Sequence, residues 1–281
     1  MRNLLKADLY RAKRDKLLLI GLIVAVGLVI FQALIVKGFT LMSSSDAESD
    51  AIATMAGATG LQLWFNGISV MGNTSLYIVP IFLTIFFVKE FSDRTIRNKL
   101  IIGYTRTQIF FSIIIVHALL SVIFYLATSG LGLILGCMLF GFGTVVDGAS
   151  IGLLFVGFLL EFLLSYILIG FAIIFAINKQ SMVFGIIIPI IFGFVLSILQ
   201  VLSMFASDAL IKIFSFLFFY QAQELQTFVG VPQLVNEAAC LYDAELMMPL
   251  VPLLRILLVA PFAVIIEIVV GFIRFRKIQF K

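Results

Sequence analysis

The sequence predicts an all-α membrane protein with six transmembrane helices, and three observations predict it. First, the 281 residues are 62% apolar and 12% charged, with a mean hydropathy of +1.20; globular domains run at roughly 45–50% apolar and about 25% charged. Second, six apolar segments approach or exceed the about 20 residues that cross a ~30 Å hydrocarbon core. Third, 16 of the 19 Lys and Arg fall on one side when those six spans are drawn, which the positive-inside rule reads as the cytoplasm. The basic pI near 9.1 would suggest nucleic acid in a soluble domain. Here the positive charge sits at the ends of apolar runs, so nucleic-acid binding is excluded as an expectation.

The elements follow in order. Residues 2–16 place Leu4, Leu5, Leu9 and Ala12 near one helical face and Lys6, Lys13 and Arg14 mostly elsewhere, the pattern of an amphipathic helix lying in the headgroup region. The spans are expected at 17–37, 74–88, 109–136, 151–176, 182–202 and 253–273. The first run follows basic residues as a signal peptide does. Its apolar core exceeds the usual 7–15 residues and no small-residue cleavage site follows, so it is expected to be retained.

Orientation follows from the basic residues. The N-terminal arm carries Arg2, Lys6, Arg11, Lys13, Arg14 and Lys16, the turn after span 4 Lys179, and the tail Arg274, Arg276, Lys277 and Lys281, placing both termini in the cytoplasm. On the other side, 203–252 contains the apolar stretch 211–220, too short to span and too apolar for a solvated loop. Short re-entrant outer helices between spans 5 and 6 are expected there, with Phe214, Phe216, Phe218 and Phe219 as outer gate candidates. The loop 39–73, with Trp64 as an interfacial anchor, is expected to behave similarly.

Several chemistries are missing. No Gly-Lys dipeptide occurs, so the chain lacks a P-loop and cannot hydrolyse ATP by that route. One histidine (His117) and two cysteines (Cys137, Cys240) exclude zinc sites of the paired-cysteine or HExxH kind. The two thiols are expected to be free. No catalytic constellation and no metal site are expected.

The cytoplasmic loop 88–108 is the segment that looks built to meet something. From Val88 to Phe110 it has five basic residues, Lys89, Arg94, Arg97, Lys99 and Arg106, against Glu90 and Asp93. Charge alone would make it an ordinary positive-inside loop. Its order says more: Glu90, then Asp93-Arg94-Thr95, then Ile96-Arg97-Asn98-Lys99-Leu100, then Gly103-Tyr104-Thr105-Arg106 and Ile109. This resembles the first cytoplasmic loop of bacterial ABC transporter permeases of the type-2 exporter class. Those proteins show an acidic residue, a Gly-Thr, an Ile-Arg-Asn-Lys-Leu-like run and a Gly-x-x-Arg. The likeness extends to the basic N-terminal helix, the six spans and the outer helices. One departure is Arg94, where the family has Gly; a Gly would permit a positive φ, whereas Arg implies that the helix runs on.

The resemblance implies a permease in the bacterial plasma membrane. Two permeases, as a homodimer or heterodimer, would pair with two cytoplasmic ATPase subunits, which bind the ATP and Mg; this chain would hold no cofactor. The loop would be a coupling helix docked in an ATPase groove. Phe91 and Leu100 would be its apolar anchors and Glu90, Arg94, Arg97 and Lys99 its charged contacts, flanked by Asp93, Thr95, Asn98 and Arg106.

Ionisable groups within the spans stand apart, since each costs on the order of 2.5–3.5 kcal/mol or more when isolated there. Glu267 in span 6 and His117 in span 3 sit at matching depths, roughly 9 and 12 Å from the cytoplasmic ends of their spans, and Glu161 in span 4 roughly 22 Å. A His117–Glu267 contact is one expectation; Glu267 reaching toward Arg274 or the interface is the other. Glu161 lines the route or is satisfied by a neighbouring helix. Pro189 and Pro261 interrupt spans 5 and 6, and Gly132-x-x-x-Gly136 and Gly148-x-x-x-Gly152 allow close helix approach. The 30 phenylalanines suit a hydrophobic or amphipathic cargo, such as an antimicrobial or cytolytic peptide, and equally suit contact with membrane lipids. The competing class is a secondary ion-coupled carrier using Glu161, Glu267 and His117.

Overall fold

The computed structural model describes residues 1–42, 74–93, 95–141 and 250–277, with Gly60, Trp64 and scattered helical positions between 155 and 198. Among the described residues the regular structure is all helical: α1 (Arg2–Arg14), α2 (Lys16–Met42), α3 (Thr74–Ser92), α4 (Thr95–Ile101), α5 (Arg106–Phe140) and α6 (Leu250–Lys277). Among the described residues three stretches are long and apolar enough to cross a membrane, Lys16–Ile35, Arg106–Phe140 and Leu258–Lys277. Most of spans 4 and 5 and almost all of the outer segment, including Glu161, Phe214, Phe216, Phe218, Phe219, Pro189 and Cys240, lie outside the described residues.

Asp15 makes the corner between α1 and α2. Its backbone is extended (φ −75°, ψ 113°), which ends α1, and its Oδ1 accepts from the backbone N–H of Leu17 at 2.8 Å, satisfying a donor that the first turn of α2 leaves open. Oδ2 accepts from Lys89 Nζ at 3.0 Å, tying the start of α2 to the end of α3.

Helix α2 turns three of its small residues inward. Gly21, Ala25 and Ala33 are buried while Leu19, Ile20, Ile23, Phe31 and Leu34 are exposed. Small side chains let helix backbones approach, and large apolar ones suit lipid. The inward face packs on α3 and α5. Helix α5 forms the centre, burying Ile109, Ile113, Val116, Leu120 and Phe124 at helical spacing. Two of its buried hydroxyls bond to its own carbonyls, Ser121 to His117 O at 2.8 Å and Thr128 to Phe124 O at 2.9 Å, so these two need no outside partner. Gly132 and Gly136 are buried on the same helix. Aromatic rings join α5 to α6, with Phe110 5.5 Å from both Phe272 and Phe275.

Four sequence expectations change. Helix α1 buries Leu4, Asp8 and Ala12 and exposes Leu9; an acidic residue, not a leucine, completes its inner stripe, because a basic partner waits there. The loop drawn over 88–108 begins inside a helix, since α3 runs to Ser92. The helix does not continue past that point: α4 is a separate element starting at Thr95, while Arg94 lies outside the described residues. Pro261, like Pro80 in α3, sits within a helix that is unbroken around it, as membrane helices tolerate when neighbours re-satisfy the freed carbonyl.

A Cβ at Gly21 would meet Phe82 Cγ at 2.5 Å and Cδ1 at 2.7 Å, whereas one at Gly27 would meet nothing within 4 Å. Gly21→Val is therefore expected to cost about 1–3 kcal/mol by overpacking, and Gly27→Val less than about 0.5 kcal/mol. Thermal unfolding of the two purified variants in detergent checks the contrast.

Candidate functional site

The charged residues of α1, α3 and α4 converge at one end of the bundle. Local sequence sets which of them turn inward. On α4, Ile96 and Lys99 lie three residues apart and are both buried, while Arg97 and Asn98 face out. On α3, Glu90 lies one turn beyond Phe86 and shares its buried face. On α1, Asp8 lies one turn from both Leu4 and Ala12.

Lys99 is the hub. Its Nζ lies 2.7 Å from Asp8 Oδ1 and 2.9 Å from Glu90 Oε2. The second oxygen of each carboxylate is also used: Asp8 Oδ2 accepts from Ser112 Oγ of α5 at 2.7 Å, and Glu90 Oε1 pairs with the Arg11 guanidinium. Arg11 in turn lies over the Phe86 ring, 4.7 Å from its centroid. Two carboxylates thus meet two cations, and all four carboxylate oxygens have partners. Asp8, Glu90 and Lys99 are each under 10% exposed, so the cluster is a buried network joining four helices.

The turn after α4 is equally specified. Gly103 has φ +102°, its N–H donates to Leu100 O at 3.0 Å, and the Tyr104 N–H donates to Lys99 O at 3.2 Å. That pair of bonds with a left-handed glycine is the Schellman cap. Thr105 then caps α5 reciprocally with Gln108, whose N–H donates to Thr105 Oγ1 at 3.2 Å and whose Oε1 accepts from the Thr105 N–H at 3.1 Å. Arg106 follows and donates to the Arg276 carbonyl at the end of α6. The Gly-x-x-Arg spacing is thus one helix stop, one helix start and one anchor to α6.

Of the ten residues expected at a docking surface, the nine other than Arg94 lie among the described residues, and they divide. Glu90 and Lys99 are turned inward into the network, since a buried carboxylate and ammonium hold each other there. Phe91 packs edge-on to Phe87 at 5.2 Å and near Phe275 at 6.3 Å, and Leu100 packs against the core. Asp93, Arg97 and Asn98 are exposed and Thr95 and Arg106 are partly covered. The large apolar groups presented outward beside them are Ile101 and Ile102, 73% and 74% exposed, which sequence reasoning passed over. Asp8, Arg11 and Asp15 were missed as well; the available signal was an acid one turn from Leu4 and Ala12 on an otherwise apolar stripe.

The span residues do not meet. Both His117 ring nitrogens and both Glu267 oxygens are buried with no hydrogen-bond partner among the described residues, so the His117–Glu267 contact is not formed. His117 instead packs its ring against Phe87 at 5.5 Å and Phe86 at 6.1 Å, and Arg274 at the end of α6 is exposed.

Long apolar helices with a short charged helix braced at one end define a helical membrane protein. Residues 4–197 match the family described as ABC-2 family transporter protein, a stretch that runs from the first turn of α1 through the end of α5. The chain belongs to that family of ABC transporter permeases. Comparison with curated proteins gives no match.

Breaking the hub should be costly because it leaves the buried Asp8 without a cation and Glu90 with Arg11 alone. Lys99→Ala is expected to lose about 3–5 kcal/mol, and the triple change Asp8→Asn, Glu90→Gln, Lys99→Met to recover most of it. Denaturant or thermal unfolding of the purified variants measures both, and equal stability of Lys99→Ala and wild type would refute the network's role.

Proposed function

We propose that this chain is the membrane-spanning subunit of an ATP-driven exporter in a bacterial plasma membrane, and that α4 is the helix through which a separate ATPase subunit acts on it. The observation that carries the reading is the division of α4 into two faces. Its inner face is held by Lys99 to α1 and α3. Its outer face offers Arg97, Asn98 and Ile101, with Ile102 exposed just past its end, an apolar pair beside polar groups that suits helix-in-groove docking.

The basic residues of α1 and the end of α6 lie at this same end, which the positive-inside rule assigns to the cytoplasm. ATP and Mg belong to the partner subunit in this scheme, with two permeases and two ATPases in the working unit. Closure of the ATPases would push on α4, and the ionic hub would carry that push to α1, α3 and α5. The apolar, phenylalanine-rich composition supports a hydrophobic or amphipathic cargo, with a peptide as the leading class.

The test is co-purification in mild detergent with a co-expressed ABC ATPase subunit. Arg97→Glu and Ile101→Asp are expected to weaken retention by about 30-fold or more, as hot-spot losses of ~2 kcal/mol do, while leaving the melting temperature of the permease unchanged because neither side chain is buried. Phe91→Ala, by contrast, should lower that melting temperature. Full retention by both surface variants, or a wild-type chain that retains no ATPase, would overturn the reading.

A further inference from the structure

One buried acid takes no part in the network at the charged end. Glu267, on α6, is 7% exposed, and neither carboxyl oxygen meets a donor among the described residues. It borders a crevice whose other walls include Phe110 and Ile114 of α5, Gly271 of α6, and Tyr166 and Gly170 of the neighbouring helical segment. About 290 Å³ of space, part of it open to the outside, lies between these residues, but its enclosed part holds only a group of about the size of one water.

The walls are built around the carboxyl. A Cβ at position 170 would overlap Oε2 of Glu267, so glycine is what lets the acid lie there. The Tyr166 hydroxyl is engaged elsewhere, donating to the Ile114 carbonyl at 3.3 Å, and the rest of the lining is apolar. Such a carboxyl lacks two things, an opposite charge and hydrogen-bond donors. A primary ammonium supplies both and matches the enclosed space, which a trimethylammonium exceeds. The Phe110 and Tyr166 rings add π faces for a cation.

Depth points the same way. Glu267 precedes Lys277, the last residue of α6, by ten positions, about 15 Å at 1.5 Å per residue. That lies a little below the headgroups of the leaflet at the braced end, where an amphiphile already carries its head. We propose that this crevice binds the primary ammonium head of an amphiphile whose apolar body lies against the exposed apolar surface of α5 and α6. The assignment rests on the permease reading and narrows its cargo to amphiphiles that carry an amine.

The test titrates the purified full-length chain, without any ATPase and in neutral detergent, with dodecylammonium, dodecyltrimethylammonium and dodecanol, read by calorimetry. Saturable binding of dodecylammonium, tighter than the other two by about tenfold or more, is expected. Glu267→Gln and Gly170→Ala should each abolish that preference. An infrared difference spectrum on adding dodecylammonium should show a carboxyl change that Glu267→Gln removes, and this reading serves even if Gly170→Ala disturbs packing. No binding, equal binding of all three, or a preference that survives Glu267→Gln would overturn the site. Because the ATPase is absent, that failure leaves the retention experiment untouched, and a failure of retention leaves this one untouched.

Discussion

The charged end of this protein depends on one ammonium group placed between two carboxylates. Lys99 meets Asp8 and Glu90 at 2.7 and 2.9 Å, and those three residues belong to three different helices. A buried ion pair of this kind contributes little net stability over an apolar substitute, because desolvation offsets most of the attraction. Its effect is on position: α4 cannot rotate or slide without leaving a buried charge unpaired. A seven-residue helix, too short to hold its own shape in water, is thereby given a fixed register.

The other constraints at that end act in series with the hub. Asp15 joins α1, α2 and the end of α3 through one carboxylate. The glycine stop at Gly103 and the Thr105 cap leave only a short turn between α4 and α5. Arg106 and the phenylalanines around Phe110 connect that turn to the end of α6. Ion pairs, caps and ring contacts thus connect α4 to the long apolar helices around it.

Polar groups deeper in the bundle are handled in two ways. Ser121 and Thr128 bond to carbonyls of their own helix and are neutral in the packing. His117 and Glu267 are buried without such partners among the described residues. They differ in surroundings: His117 is pressed between phenylalanine rings, while Glu267 borders space. Only the second can receive something.

The sequence by itself determined the class, because composition and long apolar runs admit few solutions other than membrane helices. It also marked out the segment from Glu90 through Arg106, whose order carries the glycine stop and the Thr105 cap that shape the turn after α4. It was less informative about which charges face in. Asp8 reads as one acid on a basic helix, and its burial depends on Lys99, 91 positions away; likewise Glu90 and Lys99 read as surface charges until α1 covers them. Matching depths suggested that His117 and Glu267 meet, but depth along a helix says nothing of rotation about it, and the packing of Phe86 and Phe87 keeps His117 away. Those choices belong to tertiary structure, because a charge is buried only where another element brings its partner.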